Sequence, residues 1–498
     1  MHVINRRSFL RGGAVAAGGT VLTASWLDRL SARTLAQAPP PADGPYGPLE
    51  RKPDQQGREI LALPAAFSYV TFSEIGATMS DGRTVGQNLD GMSAFAGPFG
   101  GVRLIRNHED RNGPGEGSVK GPPQTSYDRA AGGGTSTLDY DPVTRTLVRD
   151  FVSLHGSVVN CAGGRGFRHR SWLTCEETVA GPENAENAGP WPKRHGYVFE
   201  VPLRRGPNQL GRISPVKQMG RFSHEALAVD QRTGIAYETE DPGSGRGAGF
   251  YRYRPNDRRN LRAGGRLEML AVAGVPEFDA REGQSAGEVL DVRWVRIDDP
   301  DPEYANLDDE RGTFLQGRRK GGALFNRLEG CWYENGSVFF VSTSGGDAKN
   351  GDVNTPPDTS TDRVFEEGCG QVWEHRPGPG GGTLRLVYES PGVEVLDSPD
   401  NMTITPRGGI VVVEDDASSA REDTHPLAPG LTNVNRIIGI TPEGGAFELG
   451  VNVFSDSELA GICFSPDGST MFVNLFGDGS PGSGMTCAIT GPWADGPL

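Results

Sequence analysis

The sequence has no long segment in which apolar residues recur with helical spacing. Such segments are the main sequence signal for helices, so their absence argues against a helical protein. Glycine and proline are instead abundant, with 72 and 37 among 498 residues. Both residues favour turns, so the composition predicts an all-β protein that is rich in turns.

Several catalytic signatures are missing as well. No GxSxG, Walker, HExxH or Rossmann glycine pattern stands in a convincing context. The common hydrolase and nucleotide-binding motifs are therefore absent, so none of them indicates a catalytic site in this sequence.

Positive charge is also scarce. The chain carries a formal charge of −15, and its first 38 residues hold five arginines and one aspartate, about +4, which leaves about −19 on the remainder. A strongly acidic protein repels nucleic acid and anionic membranes, and neither is an expected partner. Metal cations are.

The first 38 residues resemble an export signal. Arg6 and Arg7 precede the residues SFLR, a short apolar stretch rich in glycine and alanine follows, and LAQA (35–38) offers small residues for cleavage. This pattern predicts a twin-arginine signal peptide rather than a membrane span. We expect a signal peptide over 1–38, an N-terminal extension over 39–60 and one β domain over 61–498. A monomer without a stable membrane anchor is expected, periplasmic or secreted after contact with the twin-arginine translocase.

One hairpin layout recurs six times along the chain. Each copy has a polar or metal-capable residue, a short strand, a glycine-rich turn, a stronger apolar strand and a polar or acidic end. The copies cover residues 89–110, 159–178, 223–241, 327–347, 398–416 and 457–478. Six such units predict a six-bladed β-propeller, in which radial repetition protects strand edges. The chain end, MTCAITGPW, is expected to pair with the early segment FSYVTFSEIG and close the ring.

The first positions of the six copies carry groups that bind metals. They are Asp90, Cys161, Glu225, Glu329, Asp400 and Glu458. An offset of 15 residues relates Cys161 to Glu176, Glu225 to Glu240 and Asp400 to Asp415. In a propeller the equivalent ends of the inner strands meet at the mouth of a central channel, so these carboxylates are expected to lie together.

Clustered carboxylates repel one another unless they are protonated or neutralised by cations. Their oxygens suit Ca²⁺, either as a structural ion or as part of a catalytic site. Cys161 in a ligand position points to a transition metal such as iron or zinc. A disulfide between Cys161 and Cys175 is an equally good interpretation of the spacing.

Arg327 lies two residues before Glu329, near the same predicted mouth. It is either a salt-bridge partner of the carboxylates or the residue that binds an anionic substrate, since its planar fork matches phosphate. His108 and His224 each adjoin an acidic residue and are interpreted as structural.

Longer motifs carry a resemblance to a known family. The twin-arginine start, NCAGG…WLTCEET, RFSHEALAVD, FNRLEGCWYENGSVFFVSTSGGD, DSPDN and ELAGICFSPDGSTMFVNLF…AITGPW resemble the secreted alkaline phosphatases of the PhoX family. The resemblance runs over nearly the whole mature chain. It implies a six-bladed propeller with a mixed iron and calcium centre that hydrolyses phosphate monoesters of small molecules.

The resemblance also implies roles for individual residues. Cys161 resembles the iron-ligating cysteine, and Arg327 the arginine that contacts phosphate. The metal-binding positions it implies are Glu176, Glu225, Glu240, Glu329, Asp400 and Glu458. The sequence ETED leaves the choice between Glu240 and Asp241 open, and Arg407 is a candidate for a second substrate-binding arginine.

Two other functions fit the residues. A calcium-dependent propeller hydrolase of lactones or phosphotriesters would use the carboxylates without iron. A non-catalytic binding propeller would present a partner surface on the insertions within 242–326.

Overall fold

A computed structural model describes residues 44–303, 309, 311–354, 364–416 and 424–498. The described chain is almost entirely β, with 28 strands and a single short α-helix. The prediction of an all-β protein is confirmed. The predicted signal peptide lies outside the described residues.

The strands are numbered in chain order. The first ten are β1 Leu49–Pro53, β2 Glu59–Pro64, β3 Ser68–Phe72, β4 Leu89–Ala96, β5 Val102–His108, β6 Gly133–Asp141, β7 Thr146–Ser157, β8 Asn160–Arg165, β9 Ser171–Glu176 and β10 Val198–Pro202. The next nine are β11 His224–Val229, β12 Ala236–Glu240, β13 Phe250–Pro255, β14 Gly265–Val272, β15 Val289–Arg296, β16 Leu328–Glu334, β17 Ser337–Ser342, β18 Lys349–Asn354 and β19 Phe365–Gly368. The last nine are β20 Gln371–Arg376, β21 Thr383–Glu389, β22 Pro399–Ile404, β23 Ile410–Glu414, β24 Arg436–Ile440, β25 Ala446–Asn452, β26 Leu459–Phe464, β27 Thr470–Leu475 and β28 Met485–Thr490.

The helices are few and short. The α-helix, α1, spans Thr313–Arg318, and 3-10 turns lie at Pro98–Gly100, Phe167–His169, Lys217–Met219, Leu261–Ala263, Pro379–Gly381 and Trp493–Asp495. No helix in the described part of the chain has both the length and the apolar character of a membrane span.

All six predicted hairpins are present as antiparallel pairs. They are β4–β5, β8–β9, β11–β12, β16–β17, β22–β23 and β26–β27. Their first strands also contact one another in a cycle, in the order β4, β8, β11, β16, β22 and β26, and β26 contacts β4 again. The residues before and within these six strands therefore face a common axis.

The hairpins extend outward into larger sheets. β4–β7 and β8–β10 form separate sheets, whereas the sheets that begin at β11 and β16 join at their edges, where β15 pairs with β21. β1 and β2 add to the edge of the sheet formed by β22–β25. The chain ends meet as predicted: β28 pairs with β3, with Thr486 opposite Phe72 and Thr490 opposite Ser68.

The core lies between neighbouring sheets. Ile437 and Val413 pack with Leu475 and Ile489 of the following sheet, and all four are fully buried. The strands here are rich in β-branched and large apolar residues, and burying each such side chain contributes about 1.5–3 kcal/mol. This packing fixes the angle between sheets and so fixes the spacing of the six first strands.

Each of the six hairpins has an irregularity in its first strand. Regular pairing is interrupted between Leu89 and Met92 in β4, and equivalent interruptions occur in β8, β11, β16, β22 and β26. A β-bulge bends the strand and re-aims the side chains within it. In five of the six strands, the residue just after the start of the interruption is the predicted first position of the copy.

Candidate metal centre

The bulges bring one thiol and three carboxylates together near the common axis, and Glu177, which follows β9, adds a fourth carboxylate. Ligand atoms of Cys161, Glu177 and Glu225 lie within 4.8 Å of one another, and so do oxygens of Glu225, Glu329 and Asp400. Glu225 belongs to both groups, so the five residues form one continuous set, here called the donor cluster. Four of the five occupy first positions predicted from the repeat.

Electrostatic repulsion in the donor cluster is strong. The pKa values of Glu177, Glu225, Glu329 and Asp400 are all raised well above the usual range, mainly because burial disfavours the charged form. Neighbouring carboxylates raise them further; for Glu225 these are Asp400, Glu177 and Asp90. The cluster therefore gains stability either by protonation or by binding cations, and cations can neutralise all the groups at once.

Cys161 is a free thiol. All six cysteines are buried and none of them forms a disulfide bond, so the Cys161–Cys175 disulfide does not form. The Cys161 Sγ lies 3.1 Å from the backbone oxygen of His224 and 3.3 Å from that of Glu225. Burial and then the charges of Glu225 and Glu177 raise its pKa well above the usual value. A bound cation would reverse that balance and favour the thiolate.

Arg327 stands beside the donor cluster. Its Nη2 is 3.1 Å from an oxygen of Asp241 and 3.3 Å from one of Glu329, and Nε donates to the same Asp241 oxygen. About a quarter of the side chain, 23%, remains exposed. Its φ of 43° lies in the left-handed region, where non-glycine residues are uncommon and often functional.

A second arginine reaches the cluster from another hairpin. Arg111 follows β5, pairs with Glu177 at 2.6 Å and also with Glu109, and its side chain is 53% exposed. Arg111 and Glu109 line a cavity of about 910 Å³, here called the mouth cavity, together with Asp415, Glu458 and Phe454. The repeat offered a signal for Glu109, because the first hairpin ends in an acidic pair, but it did not single out Arg111.

The structure places Glu176 and Glu240 outside the donor cluster. Oxygens of Glu176 accept hydrogen bonds from the backbone N–H groups of Val158, Gly196 and Tyr197 and contact the His195 ring at 2.7 Å. Glu240 accepts from Tyr251 at 2.6 Å and from the Gly249 N–H at 2.9 Å.

Pairing register explains these positions. Glu176 is opposite Asn160 and Glu240 is opposite His224, so each shares a sheet face with the residue before Cys161 or Glu225. Glu177 and Asp241, one residue later in each case, reach the side of the cluster. In the fifth hairpin the residue opposite Pro399 is Glu414, which comes 14 rather than 15 residues after the first position, Asp400. The residue at an offset of 15 is therefore Asp415, which lies beside Asp400.

Glu458 is placed differently from the other first positions. The bulge of β26 lies between Ala460 and Cys463, so Gly461 rather than Glu458 occupies the position equivalent to the ligands. Glu458 precedes the strand and lies beside Asp415, in the wall of the mouth cavity. Asp90 is buried beside Glu109 and Asp400, and its pKa is raised well above the usual value by burial and by those two charges.

The remaining polar candidates lie elsewhere. His108 is buried, 3.2 Å from the Gln87 carbonyl oxygen and 2.6 Å from the Ser136 hydroxyl, and His224 contacts the Gly220 carbonyl oxygen at 3.2 Å. Arg407 donates to the Ala494 carbonyl oxygen from the turn between β22 and β23. That turn is at the opposite end of its hairpin from Asp400, so Arg407 does not reach the donor cluster.

Comparison with known proteins identifies the family. A profile described as "Alkaline phosphatase PhoX" matches residues 44–147 and 140–479. The chain belongs to the PhoX family. As a PhoX-family protein it is a phosphoric monoester hydrolase of a metal-dependent class, which confirms the predicted family and the prediction of an enzyme.

One solved structure supports the fold. PhoX from Pseudomonas fluorescens, in complex with vanadate as a transition state analogue, has a TM-score of 0.63 at 17% identity, over 90% of this chain and 99% of that one. A gluconolactonase from Xanthomonas campestris has a TM-score of only 0.35 at 10% identity, over 82% of this chain and 96% of that one. No curated protein sequence matches the chain significantly.

Proposed function

We propose that this PhoX-family phosphatase hydrolyses phosphate monoesters at the donor cluster, using iron and calcium. The carrying observation is the cluster itself: a thiol and four carboxylates, with donor atoms in groups no wider than 4.8 Å, beside an arginine and an open cavity. The Pseudomonas fluorescens relative binds vanadate, a mimic of a phosphoryl group in transfer, which supports phosphate as the reacting group.

The donor set fits both metals. Cys161 supplies a soft sulfur ligand that favours iron, and the surrounding carboxylates supply the hard oxygen ligands that favour calcium. We assign Cys161, Glu177, Glu225, Glu329 and Asp400 to this centre, with Asp90, Asp415 and Glu458 at its border. Bound there, the ions would supply positive charge that holds phosphate oxygens and offsets charge developing during hydrolysis.

The chain's own residues orient the ester. Asp241 and Glu329 hold the Arg327 guanidinium, so its free N–H groups point from a fixed position at an incoming phosphate. Charge-assisted hydrogen bonds of this kind strengthen as negative charge builds up on the transferred group. Arg111, held by Glu109 and Glu177, is placed to bind another phosphate oxygen from the side of the mouth cavity.

The mouth cavity is the proposed binding site for the organic part of the substrate. At about 910 Å³ it is far larger than a phosphate group, and its wall combines Phe454 and Leu431 with serines and acidic residues. A wide, mixed wall accepts many leaving groups rather than one. We therefore propose a range of small phosphate esters as substrates.

The cyclic order of the six hairpins supports a six-bladed propeller for residues 61–498, with residues 39–60 as an extension. The twin-arginine pattern, together with the exported character of the family, supports delivery of a monomer to the periplasm or the medium, where it would release phosphate from organic esters.

Phosphate release from a chromogenic aryl phosphate tests the proposal. Metal-replete protein is expected to turn over the ester, and a chelator is expected to abolish turnover while the fold persists by circular dichroism. Elemental analysis is expected to find iron and calcium, and Cys161→Ala is expected to lose the iron. No turnover by folded, metal-replete protein would overturn the assignment, and unchanged iron in Cys161→Ala would overturn the role of the thiol.

A further inference from the structure

The central axis holds a second cavity, beyond the donor cluster. This far cavity has a volume of about 50 Å³ and is lined by residues from all six first strands, including Ser93, Arg165, Ala228, Trp332 and Met402. Bulge residues separate it from the donor cluster. A Cβ atom added to Gly91 would lie 2.4 Å from the Cα atom of Ala162, so the backbones of β4 and β8 touch at this level.

Arg165 is the charged group of the far cavity. Its guanidinium stacks over the ring of Trp332, with 4.3 Å between the guanidinium carbon and the ring centroid. No hydrogen bond or ion pair joins this side chain to any described residue. Burial lowers the pKa of Arg165, although Cys463 and Glu334 oppose that shift. A partly buried arginine without a carboxylate partner is unusual in a chain this acidic, because charges that are removed from water are normally paired.

Two further donors of the cavity wall also have no acceptor. Ser93 is 1% exposed and its hydroxyl has no hydrogen-bond partner among the described residues. The indole N–H of Trp332 is buried and unpartnered in the same way. A buried donor without an acceptor is unfavourable, and a bound ion or water is one explanation for such a group in a native structure.

We propose that the far cavity binds a small inorganic oxyanion the size of phosphate. Arg165 provides the charge and a planar fork of donors, and Ser93 and Trp332 provide donors from other sides of the cavity. This site is separate from the donor cluster and does not depend on its metals.

Size and donor geometry decide the class of ligand. A cavity of about 50 Å³ exceeds several-fold the roughly 10–15 Å³ that one water needs, and it is far smaller than the mouth cavity of about 910 Å³, so a small polyatomic anion matches it better than an ester. Donors on separate strands can each bind a different oxygen of a tetrahedral anion, and an arginine fork binds two of them. A monatomic anion would satisfy fewer of these groups.

Calorimetric titration of the metal-replete protein with inorganic phosphate tests the site. We expect two equivalents to bind in the wild type and one in Arg165→Gln. Arg165→Gln should keep its rate of ester hydrolysis within about twofold, since Arg165 is remote from the donor cluster. Arg327→Ala should instead weaken the other equivalent. Arg168→Gln is the matched control, because this exposed arginine lies in the turn that follows β8 and does not line the far cavity, and it should bind two equivalents.

Two further variants keep the test independent of folding defects in Arg165→Gln. Trp332→Phe keeps a stacking ring and removes the N–H, and Ser93→Ala removes the hydroxyl; each should weaken the second equivalent about tenfold, as expected for a hydrogen bond to a charged group. Sulfate should compete for it and chloride should not. A single equivalent in the wild type, two undiminished equivalents in folded Arg165→Gln, or equal binding of chloride would overturn the proposal.

Discussion

Arg327 owes its position to two carboxylates, Asp241 at 3.1 Å and Glu329 at 3.3 Å. Replacing it with alanine removes donors that are fixed before the substrate arrives. We predict a loss in kcat/KM of about 10²–10³-fold for an aryl phosphate, the usual effect of removing one such donor. Steady-state kinetics on metal-replete protein would measure it.

Arg407→Ala is the control for that measurement. Arg407 donates to the Ala494 carbonyl oxygen at the far end of its hairpin, and its removal should leave kcat/KM unchanged. Equal losses in both variants would show that the effect of Arg327→Ala does not come from phosphate binding.

Glu176 and Glu177 are adjacent in the sequence but have different environments. Substituting each of them by glutamine distinguishes a structural role from a role in metal binding. Glu177→Gln should lower the metal content and activity with little change in melting temperature. Glu176→Gln should reduce the free energy of unfolding by an amount on the order of 3 kcal/mol, because it leaves the charged His195 ring and buried N–H groups without their anion. Burial lowers the pKa of His195, but Glu176 and Asp128 outweigh it and raise that pKa to about 9.

Elemental analysis and chemical denaturation would measure the two effects. A loss of metal in Glu176→Gln with none in Glu177→Gln would reverse the assignment.

The sequence could identify which residue types meet at the axis, but not always which member of an acidic pair. Glu225, Glu329 and Asp400 follow from the repeat, because strand alternation and glycine-rich turns are local signals. Choosing Glu177 over Glu176 requires the pairing register of β8 and β9, which is set by contacts between strands. Arg111 had no signal at all, since its role comes from a contact with Glu177 of the next hairpin.

The β8 strand contacts its neighbour at unusually short range. A Cβ atom on Gly164 would lie 1.9 Å from the Leu227 carbonyl oxygen of β11, so the two backbones pack directly against each other. Gly164→Ala would push these strands apart, and overpacking of this kind costs about 1–3 kcal/mol or more. We predict a clear fall in the free energy of unfolding, together with weaker metal binding because β8 carries Cys161 and β11 carries Glu225.

Gly445→Ala provides the comparison. Its added Cβ would lie 3.6 Å from the nearest atom, the Thr441 hydroxyl oxygen, in an exposed turn. Urea denaturation of both variants should separate them, and equal stabilities would contradict the close packing of β8 and β11.

Hairpins were the most predictable elements, and the links between sheets the least. Each hairpin combines a turn with two apolar strands within about 20 residues, so its signal is local. The pairing of β28 with β3 was also predictable, since two unpaired apolar segments remained at the chain ends. The β15–β21 edge contact depends on how two sheets sit side by side, which no local pattern encodes.

Buried histidines make the stability of the whole protein sensitive to acid. Burial, with a contribution from Arg83, lowers the pKa of His155 to about 4, below its usual 6.5. The unfolded chain therefore takes up a proton as pH falls through 6.5, whereas the folded chain does so only near 4. The free energy of unfolding should fall over that interval by up to about 1.4 kcal/mol per pH unit, and then level off.

His155→Gln should remove this difference of up to one bound proton between the unfolded and the folded chain. The free energy of unfolding should then decline less steeply between pH 6.5 and 4. Urea denaturation at a series of pH values would measure the slopes. Equal slopes in the variant and the wild type would show that His155 does not contribute.

The pairing of the last strand, β28, with one of the first, β3, has a consequence for how the centre is made. Its donors come from four hairpins spread over about 240 residues, from Cys161 to Asp400, and they reach one another only when those hairpins stand around the axis. In a partly synthesised chain the carboxylates of the donor cluster are far apart and do not form a metal site. We expect metal to load once those hairpins have assembled, and the occupied centre would stabilise a ring whose two ends are otherwise joined by the pairing of β3 with β28 and of β2 with β25.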